Sequence, residues 1–178
     1  MKYSMRGNVD PFIVMDVMEN ARKAEEGGRK IIHMEVGQPS TAAPSGARER
    51  TSEIIKSNPL GYTVALGLPE LRKKISALYG RWYNLDIDPS RVIVTSGSSG
   101  AFILSFTALF EEGARVGIGA PGYPSYRQIL KSLGISPVDI MTNFENKFQP
   151  TAKDVVSQNL DGLLVASPSN PTGTMLSK

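Results

Sequence analysis

The sequence lacks cysteine and has a single histidine among its 178 residues. Without cysteine, the chain can form neither a disulfide framework nor a thiolate metal site. Its most apolar stretch, residues 101–110, is interrupted by Ser105 and Thr107 and is far shorter than the ~20 residues that span a bilayer. Residues 1–6 are not followed by the apolar core of a signal peptide. We therefore expect a cytoplasmic protein that does not enter a membrane.

Clusters of one charge are also missing. The formal net charge is +3, and basic and acidic side chains alternate along residues 22–30. A nucleic-acid surface needs clustered Lys and Arg with interleaved aromatic residues, so we expect no nucleic-acid partner. The acidic pairs Glu25-Glu26 and Glu111-Glu112 lie at predicted helix ends and indicate solvated faces rather than a metal or acid–base site. The apolar content of 40% is typical of a globular domain that buries a core.

Apolar periodicity predicts helices and strands that alternate along much of the chain. Helices are predicted after Asp10-Pro11, at 48–57, from Pro69, at 98–110, at 123–133, and from Thr151 to about Asn159. Strands are predicted at residues 31–34, 92–95, 115–119, 137–141 and 162–166. This alternation predicts an α/β fold in three layers, with a mostly parallel sheet between helices on both faces. The helix at 98–110 is apolar nearly all round, which predicts that it is buried.

A loop of small residues, Thr95-Ser96-Gly97-Ser98-Ser99-Gly100, joins a predicted strand to the apolar helix. Small residues let the backbone approach a ligand, and the N–H groups and dipole at a helix N-terminus attract an anion. Gly97, Ser98 and Ser99 are therefore candidate anion-binding residues. The alternative is an ordinary N-cap, in which Ser98 or Ser99 satisfies the helix's own donors.

The stretch Ser167-Pro168-Ser169-Asn170-Pro171-Thr172-Gly173 directly follows the last predicted strand. Open α/β sheets bind ligands at the carboxyl ends of their strands, so this turn is a second candidate binding site. The bond between Asn170 and Pro171 is one of the few that can be cis at tolerable cost. A cis bond would give the Asn170 side chain one direction.

Residues 117–122, Gly-Ile-Gly-Ala-Pro-Gly, match the dinucleotide pattern G-x-G-x-x-G, with Asp139 a plausible distance downstream. Gly117 falls inside a predicted strand, however, and prolines stand where the next helix should present free N–H groups. Nicotinamide binding is therefore the less favoured interpretation. The turn is better suited to hold Tyr123 over a flat ring, and the alternative is that Tyr123 only packs on the sheet. His33, within a predicted apolar strand, is expected to be structural.

Taken in order along the chain, these segments resemble those of the class I and II aminotransferases, which are pyridoxal-phosphate (PLP) enzymes of fold type I. The matching segments are residues 35–39, 61–63 with 67–72, 95–99, 121–126 and 167–173. The last two are the most specific. The resemblance covers essentially the whole chain but only about the first half of the family's usual length. It implies an incomplete large domain of the fold type I PLP-transferases.

The resemblance implies a cofactor-binding role for several of these residues. Gly97, Ser98 and Ser99 would hold the phosphate of PLP at the helix N-terminus. Tyr123 would stack on the pyridine ring, and Asn170 would donate a hydrogen bond to the phenolic oxygen of that ring.

Two further roles concern the substrate and a second subunit. By the same resemblance, Gly37 would lie near the α-carboxylate of the substrate. Tyr62 would reach the phosphate in the neighbouring subunit, which implies a homodimer. The implied substrates are an amino acid and a 2-oxo acid.

The resemblance also implies groups that this chain does not contain. An aspartate facing the ring nitrogen, the lysine that forms the Schiff base and an arginine that clamps the substrate are all expected beyond residue 178. No residue of the chain is therefore assigned a catalytic role, and the isolated chain is expected to be inactive. Residues 1–45 are expected to form an N-terminal arm and helix of the small domain and dimer contacts, and 46–178 part of the large domain.

Three alternatives stay open on the sequence. The first is a PLP-dependent lyase or synthase on the same scaffold. The second is a nicotinamide-binding Rossmann domain built on residues 117–122. The third is a non-catalytic product of a truncated gene, which would act only as a partner of other subunits.

Overall fold

The computed structural model describes residues 4–177, and their contacts divide them into two units. The sheet unit comprises residues 4–13 and 96–177, and the helical unit comprises residues 14–95. The helices and strands, in chain order, are α1 (Ile13–Glu26), α2 (Ser45–Ser57), α3 (Pro69–Tyr83), α4 (Gly97–Leu109), β1 (Arg115–Ala120), α5 (Pro124–Ser132), β2 (Ser136–Met141), α6 (Ala152–Val156) and β3 (Gly162–Leu164). Short 3₁₀ helices occupy Met5–Gly7 and Pro89–Arg91. No helix within the described residues is long and apolar enough to cross a membrane.

Three parallel strands form the sheet, in the order β2-β1-β3. All six residues of β1 pair with β2, and Val116, Gly117 and Ile118 pair with the three residues of β3. α5 joins β1 to β2, and α6 joins β2 to β3. Parallel neighbours need such crossovers, because a short hairpin cannot connect them. The α/β fold predicted from the alternating pattern is therefore confirmed.

The core of the sheet unit lies on one face of β1. It is formed by buried side chains of β1, α4, α5 and the residue before β2: Phe106, Val116, Ile118, Leu130 and Ile135. Successive strand residues point to opposite faces, so Gly117 looks away from this core. A Cβ atom at Gly117 would lie 2.6 Å from Cδ1 of Leu160, which follows α6. Chain segments therefore cover both faces of β1.

In the helical unit, α3 holds the loop that follows it. The Arg72 guanidinium donates hydrogen bonds to the carbonyl oxygens of Val92 and Pro89, each at 2.8 Å. The backbone N–H of Val94 donates to the carbonyl oxygen of Leu66 at 3.0 Å. These bonds fix residues 89–94, which lead into the Ser-Gly loop.

The helix predictions are confirmed to within a few residues, with two corrections. α1 begins at Ile13, two residues after Pro11, and Asp10 pairs with Lys131 of α5. This ion pair lowers the pKa of Asp10. α6 is preceded by a capping box between Thr151 and Asp154, but it ends at Val156, three residues earlier than expected.

Two predicted strands are absent from the described residues, at positions 31–34 and 92–95. An extended segment needs a ladder partner to become a strand. The single hydrogen bond between Val94 and Leu66 does not form such a ladder. His33 therefore does not lie in an apolar strand, and its side chain is half exposed. Its Nδ1 lies 2.7 Å from Glu35 Oε1, and its Nε2 lies 3.0 Å from Glu25 Oε1.

The expected burial of the apolar helix is also wrong within residues 4–177. Of the α4 side chains, Phe106 is buried, whereas Ile103, Leu104 and Leu109 are 46%, 60% and 71% exposed. A three-stranded sheet covers one side of a helix only. α4 therefore has more apolar side chains than the described residues cover.

Candidate functional site

The Ser-Gly loop leads directly into α4. Ser96 occupies the N-cap position and its side chain makes no capping hydrogen bond, while Gly97 has φ 73°, a value that favours glycine. Ser98 and Ser99 are exposed in the first turn, where helical N–H groups lack intrahelical acceptors. Neither serine is the N-cap, so the ordinary capping alternative does not describe this helix. The first turn can offer amides and hydroxyls to an anion.

Aromatic rings connect α4 to the turn after β1. Phe102 lies one helical turn after Ser98 on the same face of α4. Its ring centroid is 4.9 Å from that of Tyr126, with the planes at 72°. Tyr126 in turn lies 5.4 Å from Tyr123 at 81°. Tyr123 is thus placed on an element that packs against α4.

Tyr123 is partly buried, and it packs against rings rather than only against the sheet. Besides Tyr126, it contacts Phe12 at 6.3 Å with the planes at 88°. Burial, and secondarily the nearby Tyr123, raise the pKa of Tyr126. Sequence reasoning missed Phe102 and Tyr126. The available signals were that Phe102 lies four residues after Ser98 and that Tyr126 lies three residues after Tyr123.

The turn that carries Tyr123 is fixed by hydrogen bonds at Ala120 and is tightly packed at Gly122. The carbonyl oxygen of Ala120 accepts hydrogen bonds from the backbone N–H of Thr142 at 3.0 Å and from its hydroxyl at 2.8 Å. At the other end, a Cβ atom on Gly122 would lie 2.4 Å from the carbonyl oxygen of Gly119. Tyr123 then occupies the N-cap position of α5, and Pro124 starts the helix.

The apparent dinucleotide pattern has a different structural explanation. Gly117 is buried within β1, and a Cβ atom there would meet Leu160, Ile140 and Leu163 at 2.6, 3.0 and 3.1 Å. This glycine therefore serves close packing inside the sheet rather than a turn under a pyrophosphate. Pro124 also removes an N–H group from the first turn of α5.

The turn after β3 is closed by its own backbone. The N–H of Gly173 donates to the carbonyl oxygen of Ser169 at 2.8 Å, and the N–H of Ser169 donates to the carbonyl oxygen of Thr174 at 2.9 Å. The Asn170–Pro171 bond is cis, as the sequence allows. Asn170 is exposed, so its carboxamide is available to a ligand.

The turns after β1 and β3 meet. They share a small cavity of about 20 Å³, lined among others by Gly119 and Gly122 from the first turn and by Ser169 and Asn170 from the second. A volume of this size holds about one water molecule. Because β1 and β3 are parallel neighbours, their carboxyl ends lie at the same edge of the sheet.

The remaining predicted site residues belong to the helical unit. Gly37 and Tyr62 both lie in exposed loops, and the Tyr62 ring has no cover from its own unit. Their suggested contacts with the substrate and with a second subunit stay predictions. Within residues 4–177, no group of three or more His, Cys, Asp or Glu side chains could hold a metal ion.

Comparison with known proteins identifies the family. The profile described as "Aminotransferase class I and II" matches residues 29–178. The chain belongs to the class I and II aminotransferases.

Two relatives and two solved structures illustrate how far this similarity extends. The chain is 42% identical to the valine–pyruvate aminotransferase of Mycobacterium tuberculosis over 98% of its own length and 46% of the relative. It is 33% identical to the (5-formylfuran-3-yl)methyl phosphate transaminase of Methanocaldococcus jannaschii over 96% of the chain and 45% of that relative.

The solved structures agree in fold. An aminotransferase of Mycobacterium tuberculosis matches with a TM-score of 0.94 and 42% identity, over 99% of this chain and 46% of that one. A protein of Silicibacter pomeroyi assigned as an aminotransferase matches with a TM-score of 0.88 and 59% identity, over 99% and 45%. The chain therefore spans slightly less than half the length of the aminotransferases it matches.

The family uses PLP, and the sheet unit offers groups that suit this cofactor. The first turn of α4 suits a phosphate, the Tyr123 ring suits a flat heteroaromatic, and the Asn170 carboxamide suits a ring oxygen. The two turns carrying Tyr123 and Asn170 lie against each other at the carboxyl edge of the sheet. The residues present thus fit the group.

Proposed function

We propose that this chain forms part of the PLP site of an aminotransferase that moves an amino group between an amino acid and a 2-oxo acid. The observation that carries the proposal is that the turns after β1 and β3, which carry Tyr123 and Asn170, lie against each other at the carboxyl edge of the sheet. When bound, PLP supplies an aldehyde that takes up the amino group and a ring that accepts electrons.

The chain's own residues bind and orient the cofactor in this proposal. Amides and hydroxyls of Ser98 and Ser99 would hold the phosphate, and helix-terminus electrostatics contribute up to ~2 kcal/mol. Packing of Tyr123 on the ring contributes about 0.5–1.5 kcal/mol. A hydrogen bond from Asn170 contributes a further ~0.5–1.5 kcal/mol. Since association costs translational and rotational freedom, these terms support weak binding by the chain alone.

The helical unit would serve the substrate and a second copy of the chain. We assign Gly37 to the substrate carboxylate and Tyr62 to the phosphate of a neighbouring subunit, as the family resemblance implies. The exposure of both residues supports these assignments. The relatives' names, which include a valine–pyruvate pair, support an amino acid and a 2-oxo acid as substrates.

PLP titration of the chain tests the proposal. We expect saturable binding, followed by PLP absorbance and by quenching of protein fluorescence. Asn170→Ala and Tyr123→Ala should each weaken binding roughly 2- to 12-fold, because each removes one contact of about 0.5–1.5 kcal/mol. Asn20→Ala, an exposed asparagine on α1, is the matched control and should bind PLP normally.

Two results would contradict the proposal. One is a folded chain that does not bind PLP at millimolar concentration. The other is binding that neither Asn170→Ala nor Tyr123→Ala weakens, since the cofactor would then lie elsewhere.

A further inference from the structure

The segment between β2 and α6 carries a buried side chain with no role in the site so far. Gln149 is a polar residue that is only 5% exposed. Burying a carboxamide is costly unless its hydrogen-bonding groups find partners. The partners of Gln149 therefore indicate what its burial achieves.

The Gln149 carboxamide binds the chain on both sides of the turn that carries Asn170. Its Nε2 donates to the carbonyl oxygen of Thr174 at 2.8 Å and to that of Ala166 at 3.2 Å. The Thr174 hydroxyl lies 3.3 Å from the same nitrogen. Ala166 lies two residues after β3, and Thr174 follows the last residue of the turn. One NH₂ group thus links the entry of the turn to its exit.

The carbonyl oxygen of Thr174 also accepts a hydrogen bond from within the turn. The carbonyl oxygen of Thr174 accepts the N–H of Ser169 as well as Nε2 of Gln149. Asn170 is the next residue after Ser169. Any rotation of the Thr174 carbonyl would therefore disturb both bonds and shift the backbone next to Asn170.

Gln149 is itself held by its neighbours in sequence. Its backbone N–H donates to the carbonyl oxygen of Asn146 at 3.1 Å, and the side chains of Asn143 and Asn146 each accept the other's backbone N–H. Two residues later, Thr151 begins α6 with a capping box. The carboxamide therefore projects from a fixed base, and it lines the cavity that Asn170 also lines.

We propose that Gln149 is a positioning residue that orients Asn170 toward the ring oxygen of PLP. This inference rests on the proposed function. Gln149 does not touch the cofactor in this proposal, and it acts only through the turn.

The decisive experiment is a double-mutant cycle in which PLP binding and the PLP absorption spectrum are measured for each variant. Gln149→Met removes both N–H donors and keeps a side chain of similar length. It should weaken PLP binding roughly 2- to 12-fold, up to the effect of Asn170→Ala. It should also shift the absorption ratio of the ionised and protonated ring hydroxyl in the same direction as Asn170→Ala. In the Asn170→Ala background, Gln149→Met should have no further effect on either readout.

Two additional variants guard against trivial explanations. Gln158→Met makes the same exchange at a residue that offers its backbone carbonyl oxygen, not its carboxamide, to Arg115, and it should leave both readouts unchanged. Gln149→Glu keeps the side-chain volume but presents a carboxylate to carbonyl oxygens. It should reproduce the spectral shift at neutral pH and lose it on acidification, when the protonated carboxyl donates again. This variant also tests the inference if Gln149→Met fails to fold.

The outcomes separate this inference from the proposed function. Lack of PLP binding by the unaltered chain contradicts both. Normal binding with an Asn170→Ala effect, but an unmoved spectrum in Gln149→Met and Gln149→Glu, contradicts the inference alone. A Gln149→Met effect that persists in full in the Asn170→Ala background also contradicts it, because the side chain would then act generally on stability.

Discussion

At the scale of single residues, Gly67 shows how backbone geometry fixes an amino acid. Its φ is 96°, and a Cβ atom added there would lie 2.6 Å from both Cβ and Cγ2 of Val94. The first condition strains an L-residue, and the second forces Val94 to move. The backbone N–H of Val94 also donates to the carbonyl oxygen of Leu66, so the displacement would disturb this hydrogen bond.

We therefore predict that Gly67→Ala lowers the free energy of unfolding by about 1–3 kcal/mol. Urea unfolding followed by circular dichroism measures this. Gly61→Ala is the matched control, because a Cβ atom at Gly61 meets no atom within 4 Å. Equal stability of the two variants would show that the Gly67 backbone relaxes freely.

At the scale of elements, local signals predicted most helices. Pro69 starts α3 and Asn84 ends it in the left-handed region, with φ 53°. The capping box of Thr151 and Asp154 marks the start of α6. These signals act within a few residues, so the sequence carries them directly. The strands expected at 31–34 and 92–95 failed because a strand also needs a partner distant in sequence.

His33 joins the end of α1 to the segment that follows it, and this contact depends on pH. Hydrogen bonds to Glu35, and then to Glu25, raise the pKa of His33 above its ordinary value of 6.5. The bond to His33 is the main cause that lowers the pKa of Glu35 below 4.5. The His33 contribution to stability is complete below pH 6.5 and is lost as pH rises through the raised pKa. The Glu35 contribution is complete above pH 4.5 and is lost as pH falls through the lowered one.

The His33–Glu35 pair should therefore stabilise the folded chain most between pH 4.5 and 6.5. We predict that His33→Gln lowers the urea midpoint in this range and that the difference shrinks as pH rises further. Unfolding curves of both proteins from pH 4 to 9 measure it. A midpoint difference that is the same at every pH would mean that packing, not charge, is what the histidine contributes.

At the scale of the whole molecule, the apolar surface of α4 is the main departure from expectation. Leu104 and Leu109 are more than half exposed. Contiguous exposed apolar surface binds hydrophobic dyes and promotes association. The residue types of α4 indicated burial, but the amount of surrounding structure decides whether burial occurs.

We predict that Leu104→Lys and Leu109→Lys each reduce the fluorescence of a bound anilinonaphthalene dye. Thr107→Lys, at another exposed position of α4, adds the same charge without removing apolar surface and should change the signal little. An equal loss of dye fluorescence in all three variants would mean that the added charge, not the removed apolar surface, causes the effect.

The sequence by itself determined the α/β class, most helix positions and the three loops whose composition suits PLP. Those features follow from periodicity, proline and glycine chemistry and capping, all of which act over short spans of chain. Only the tertiary structure decided that the turns carrying Tyr123 and Asn170 meet and that Gln149 bridges the two ends of the turn carrying Asn170. The same holds for the pairing of His33 with Glu35 and Glu25. Apart from the His33–Glu35 pair, which lies two residues apart, these contacts join groups that are not neighbours in sequence, so local sequence patterns do not encode them.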